Sequence, residues 1–259
     1  MPGEAVSLKV DDGTAAVTLT RPERMNCLDA ETAAALFVAL KDAERQNAKV
    51  IIITGSGKAF CSGGDVKAMG EAKNPERFLM ELVKPIHDVV LAVRRSPALV
   101  LAAVNGVATG AGCSLVLACD LKVLSTEARL SMWFAGIGLA PGCGTELLVE
   151  HVGRARASEM LLAGKRLGAS EALEWGIANW VVPPDDLMPF ARKKASELSV
   201  NALLAITRTK ALLNHAKDNT LEEQLALERH FISISGATED FREGTGAFAE
   251  KRKPSFKGR

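Results

Sequence analysis

The stretch from Leu99 to Ala118 constrains the fold most tightly. An apolar run, Leu99-Val100-Leu101-Ala102-Ala103-Val104, leads into Asn105-Gly106-Val107-Ala108-Thr109-Gly110-Ala111-Gly112-Cys113-Ser114, and a second apolar run, Leu115-Val116-Leu117-Ala118, follows. Three glycines fall within seven residues. The first run suits a buried strand and the last suits a helix, so the chain must turn sharply between them and deliver backbone N–H groups at a helix N-terminus. Such a turn holds developing negative charge. Read alone, it serves equally well to let a helix pack closely on a sheet.

The flanking chain supplies the layers. Val6–Val10 and Ala15–Leu19 alternate around Asp11-Asp12-Gly13, which predicts a hairpin. Asp29 is an N-cap for a helix reaching about Gln46, with Leu36, Leu40 and Ala43 at helical spacing. Val50-Ile51-Ile52-Ile53-Thr54 reads as a buried parallel strand, Pro75 to Arg95 as a helix, and Leu121-Lys122-Val123-Leu124 as another strand. Strands alternating with helices predict βαβ units with right-handed crossovers. Beyond residue 145 helical patterns dominate: Thr145–His151, Arg154–Ala163, Ser170–Trp175, Asp186–Leu198, Asn201–Ala216, Leu221–Ser235 and Asp240–Glu250, with Ala178–Val182 the lone strand-like run. The expected class is α/β, an α/β core carrying a helical C-terminal part. Lys251 to Arg259 reads as a basic tail, with Lys257 and Arg259 solvated.

Composition excludes several function classes. Lys and Arg total 32 against 31 Asp and Glu, a net charge of +1, which argues against nucleic-acid or membrane-surface partners. The five cysteines, Cys27, Cys61, Cys113, Cys119 and Cys143, are odd in number and form no C-x-x-C pair. With no signal-peptide pattern at the N-terminus, the expectation is a reducing, cytoplasmic setting. No apolar run is long enough to span a membrane.

A second glycine-bearing loop, Thr54-Gly55-Ser56-Gly57-Lys58-Ala59-Phe60-Cys61-Ser62-Gly63-Gly64-Asp65-Val66-Lys67, follows the buried strand. Strand ends are where α/β folds place ligands. It lacks the G-x-x-x-x-G-K-[ST] string, and no G-x-G-x-x-G follows a strand, so nucleotide hydrolysis and dinucleotide binding have little support. Two glycine turns, each after a core strand, have the makings of an oxyanion hole with one N–H from each.

The ordered series Arg21-Pro22…Asn26, Ala59-Phe60-Cys61-Ser62-Gly63-Gly64-Asp65, Ala103-Val104-Asn105-Gly106…Gly110-Ala111-Gly112, Ala118-Cys119-Asp120, Gly138-Leu139-Ala140-Pro141-Gly142 and Arg242-Glu243-Gly244…Ala247-Phe248…Lys251-Arg252 resembles the crotonase (enoyl-CoA hydratase/isomerase) superfamily. The resemblance runs from about residue 5 to the C-terminus. It implies a spiral of βαβ units over residues 1–200 with the acyl-CoA site, and a helical trimerisation region over 201–259. It also implies a homotrimer or dimer of trimers, acyl-CoA thioester substrates, and neither metal nor redox cofactor.

Carried over by position, the resemblance assigns the N–H groups of Gly64 and Ala111 to the thioester oxygen, where they would stabilise an enolate. Asp65, Val66 and Lys67 would line the adenine and pantetheine path, while Phe248 and Lys251 would reach the nucleotide end of CoA. Met69, Trp133, Phe134, Gly142 and Cys143 would wall the acyl pocket. The chain departs from the family at the acid/base positions, where Ser114, Phe134 and Gly142 stand in place of carboxylates. Substitutes are Ser114 to position water, Glu146 at a helix start, and His87 on the helix before the oxyanion strand. Cys143 shares the electropositive helix start, where a thiol pKa falls. Three readings follow: hydration or isomerisation of an unusual enoyl-CoA, decarboxylation of a malonyl- or glutaconyl-type thioester, and acyl-CoA binding without turnover.

Overall fold

The computed structural model describes residues 5–259. β1 (Val6–Asp11) and β2 (Thr14–Leu19) form the antiparallel hairpin, with Val6 opposite Leu19. α1 (Ala30–Arg45) begins at Asp29, whose carboxylate accepts from the Thr32 N–H at 2.9 Å, and it buries Ala33, Leu36, Leu40 and Ala43. Next come β3 (Val50–Gly55), β4 (Ala59–Cys61), α2 (Val66–Glu71) and α3 (Pro75–Arg95). The glycine-rich stretch supplies β5 (Leu99–Val104), β6 (Val107–Thr109) and α4 (Ala111–Ala118), followed by β7 (Leu121–Ser125) and β8 (Arg129–Ser131). The remainder is α5 (Thr145–Leu161), β9 (Leu167–Gly168), α6 (Ala169–Glu174), β10 (Trp180–Val182), α7 (Leu187–Ser199), α8 (Leu203–His215), α9 (Leu221–Gly236) and α10 (Glu239–Ala249).

Two sheets share these strands. The larger runs β1-β2-β3-β5-β7-β10 and is parallel from β2 onward; the smaller runs β4-β6-β8-β9, with β4, β6 and β8 parallel. Three long strands are each followed by a short one, β3 by β4, β5 by β6 and β7 by β8. One circuit of the chain therefore adds a strand to each sheet, and stacked circuits make the spiral. Val50 to Ile53 are wholly buried because the larger sheet is covered on both faces, by α7 through Leu187, Ala191 and Ala195 on one side.

Two details differ from the sequence expectation, and the break in α5 agrees with it. The short strands lay unseen inside segments read as loops. Gly153 breaks α5 with φ 73° and ψ 167°, which accounts for the two separate helical patterns in the sequence. The C-terminal tail is fastened rather than free: buried Asp240 accepts from the N–H groups of Lys257 at 2.6 Å and Gly258 at 2.8 Å, and donates its own N–H to the Arg259 carbonyl.

Candidate active site

Parallel pairing sets Thr109 beside Ser131, so the carboxyl ends of β4, β6 and β8 lie in one row. Immediately past that row the chain must leave the sheet. It does so at Ser62-Gly63-Gly64 after β4, at Gly110 after β6 and at Met132-Trp133 after β8. Gly110 turns with φ +52°, a conformation that a side chain resists, and starts α4 at Ala111. A carbon placed on Gly112 would lie 2.1 Å from the Cys61 carbonyl oxygen, so α4 sits directly on β4 only because that side chain is absent. The Thr109 hydroxyl donates to the Ser62 carbonyl at 2.8 Å and ties the two turns together.

The motif residues upstream hold this frame. Asn26 donates to the carbonyls of Ser56 and Ala59, and Asn105 donates to Gly57 and Ala59 while accepting from the Gly55 N–H. These bonds fix the 55–59 loop that feeds β4. Arg21 and Arg24 pair with Asp29, and Arg24 also pairs with Asp65, which caps α2 by accepting from the Ala68 N–H. Cys27, Asp29 and Asp65 bring a thiol and two carboxylates together, the spacing of a metal site. Both carboxylates are already neutralised by guanidinium groups. Burial pushes Asp29 upward, but the Thr32 amide and hydroxyl and the Arg21 guanidinium outweigh it and hold the carboxyl low, while burial raises the Cys27 thiol. The cluster is an ion-pair clamp between the 21–29 segment and α2.

A cavity of about 290 Å³ opens at the strand ends. Gly64 and Ala111 line it, and neither N–H has an acceptor among the described residues. Ala111 is the first residue of α4, where backbone N–H groups have no intrahelical partner and the helix dipole favours negative charge. Val66, Met69, Trp133, Phe134, Gly142 and Cys143 share the wall with Leu82 and Ile86 of α3, and no carboxylate, imidazole or ammonium is among the lining groups.

The acid/base substitutes inferred from sequence are not brought to this cavity. Ser114 is wholly buried behind it, its hydroxyl directed at the carbonyls of Gly110 and Cys143. Glu146 opens α5 with its side chain 69% exposed and ion-paired to Lys217. His87 is exposed on α3, and its Nε2 binds the Gly142 carbonyl at 2.6 Å, so it latches the 138–144 loop to α3. Cys143 does line the cavity, but burial pushes its thiol up against the lowering effect of the Ser114 hydrogen bond, opposite to the helix-start expectation. Asp65 is engaged in its cap and ion pair, Lys67 projects outward 4.0 Å from Glu71, and Phe248 and Lys251 are exposed away from the cavity wall.

Apart from the Cys143 thiol, perturbed titration lies away from the cavity. Burial pushes Lys122 down to about 8, where it lies 2.7 Å from His151 Nε2, yet neither residue lines the cavity. Sequence reasoning missed Ser131: the signal was its place at the end of β8, a strand too short to see.

Exchange of the two exposed candidates separates position from chemistry. Glu146→Gln should leave turnover within about twofold, as for other surface changes. His87→Ala should raise KM more than it lowers kcat, because it frees a wall of the cavity. Steady-state kinetics on both variants checks this, and a collapse of kcat in either one would restore that residue to the chemistry.

The chain matches the profile of the enoyl-CoA hydratase/isomerase family over residues 9–259. It is 36% identical over 260 residues to the 1,2-epoxyphenylacetyl-CoA isomerase of Escherichia coli, covering 99% of both chains. Identity is 40% over 261 residues to a probable enoyl-CoA hydratase of Rhodobacter capsulatus, covering 100% of both. The crystal structure of an enoyl-CoA hydratase from Bacillus anthracis superposes with TM-score 0.93 at 32% identity, over 98% of this chain and 100% of that one. With the spiral fold and the paired glycine turns, these matches place the chain in the enoyl-CoA hydratase/isomerase family of the crotonase superfamily.

Proposed function

We propose that the protein holds the carbonyl oxygen of an acyl-CoA thioester between the Gly64 and Ala111 N–H groups and stabilises the enolate formed beside it. The observation that carries this reading is the pair of unengaged amides on one apolar cavity at the strand ends. Two aligned donors in a water-poor site stabilise developing charge far more than they would in water. The reaction we place first is hydration or isomerisation of an enoyl-CoA, the activities in the names of a probable enoyl-CoA hydratase and a putative enoyl-CoA hydratase/isomerase among its relatives. Enolate chemistry of this kind calls for no metal or redox cofactor; CoA enters as part of the substrate.

One observation favours a second reaction, decarboxylation of a malonyl-type thioester. Loss of CO₂ generates the enolate without a protein base, and the cavity wall offers no carboxylate to remove a proton or to repel the substrate's own. Assembly as a trimer or dimer of trimers belongs to the same proposal, supported by the exposed Leu213, Leu221, Leu225 and Ile232 on α8 and α9. A cytoplasmic setting is likewise proposed, from the unpaired cysteines; among the described residues no helix is long and apolar enough to cross a membrane.

Incubation of the purified protein with enoyl-CoA and malonyl-type CoA esters, followed by mass spectrometry, decides between the reactions. Gain of water by mass, or a double-bond isomer of unchanged mass separated chromatographically from the starting ester, supports the first, and loss of CO₂ the second. Tight binding of every ester without product would overturn both and leave a binding protein.

A further inference from the structure

Ser131 ends β8, one strand over from the turn that begins α4. Its carbonyl accepts the Gly110 N–H at 2.9 Å, which fixes it one residue from the Ala111 donor. The residue is only 9% exposed and lines the cavity, and its hydroxyl has no hydrogen-bond partner among the described residues. The other hydroxyls of the wall differ: Thr109 is committed to the Ser62 carbonyl, and Ser62 is half-exposed. Ser131 Oγ is not among the buried atoms left without a partner, so it opens to the cavity, where a ligand oxygen or a bound water can take its hydrogen bond.

We propose that Ser131 Oγ is a positioning group for an oxygen at carbon 2 or 3 of the acyl chain. Resting on the thioester reading above, this puts Ser131 within reach of the carbons next to the carbonyl that Ala111 engages. The oxygen is the incoming water, or the β-hydroxyl it becomes, if the reaction is hydration, and the departing carboxylate if it is decarboxylation; a double-bond shift places no oxygen there. Ser131 forms and breaks no covalent bond in either case. Leu79, Leu82, Val83, Ile86 and Phe134 supply a largely apolar remainder of the wall, so the substrate is an acyl-CoA whose acyl chain is mainly hydrocarbon apart from this oxygen function.

The test measures binding of hexanoyl-CoA, 3-hydroxyhexanoyl-CoA and 2-carboxyhexanoyl-CoA by titration calorimetry to the full-length protein and to Ser131→Ala and Ser131→Thr. The expected result is a preference of about five- to tenfold for one oxygenated ester over hexanoyl-CoA, the size of one neutral hydrogen bond. Ser131→Ala should erase it without altering hexanoyl-CoA binding, and Ser131→Thr, which keeps the hydroxyl, should retain most of it. Which ester is preferred identifies the oxygen's source. An undiminished preference in Ser131→Ala, or no preference in the parent protein, overturns the Ser131 assignment alone. Failure of the parent protein to bind any of the esters overturns the thioester reading and the assignment with it.

Discussion

Ala111→Pro should lower kcat by about 10²–10³-fold while the protein stays folded and still binds CoA esters. Proline is the natural substitution for isolating one donor here. Ala111 is the first residue of α4, the position where proline's fixed φ is already helical and its missing N–H breaks no helical hydrogen bond. Gly110, which precedes it at φ 52° and ψ −121°, carries no Cβ to meet the new ring. The change therefore removes the N–H that the site presents and leaves the α4 ladder whole. Ala111→Gly is the control, because it keeps the amide and should hold kcat near the parent value. A second readout needs no turnover: the absorbance of a bound cinnamoyl-CoA shifts to the red when its carbonyl is polarised, and Ala111→Pro should shrink that shift. Equal kcat and an equal red shift in Ala111→Pro would show that the Ala111 amide takes no part.

The frame of that site was legible before the structure because its signals are local. Asp29 with Thr32, the run Val50 to Ile53 and the helix from Pro75 to Arg95 each carry their pattern within a few residues. The turn at Gly110 was readable for the same reason. The smaller sheet was not, since its strands are two or three residues long and acquire their identity only by pairing with one another. Ser131 was lost with it, while Ser114, four residues along α4 from Gly110, drew attention by its sequence spacing. In the fold, the helix turns the Ser114 side chain back onto the Gly110 carbonyl, away from the cavity. His87 and Glu146 stand outside the cavity wall for a related reason. Position along a chain says that a residue is near a site but not what its side chain meets: Glu146 faces solvent and Lys217, and His87 is spent on the Gly142 carbonyl.

A different kind of contact decides whether the C-terminal helices stay on this frame. Lys210→Met should destabilise the protein by about 3–5 kcal/mol, the cost of leaving one member of a buried ion pair behind. Lys210 on α8 is 5% exposed, and its Nζ donates to the carbonyls of Val93 at 2.9 Å and Ala98 at 3.2 Å and to Asp120 Oδ2 at 2.8 Å. Asp120 Oδ2 also accepts the Val100 N–H at 2.7 Å, so one carboxylate joins α8 to β5. Methionine fills the space of the lysine stem but strands the carboxylate with a single donor and leaves the two carbonyls without one. Asp120→Asn should cost less than Lys210→Met, since an amide still accepts from Val100 and from the ammonium. The double variant should be more stable than the sum of the single effects predicts, because the neutral amide no longer suffers from the lost cation. Denaturant titration followed by both fluorescence and circular dichroism measures all three. If Lys210→Met unfolds with the parent midpoint, the bridge adds nothing to stability and the apolar contacts of α8 hold it unaided.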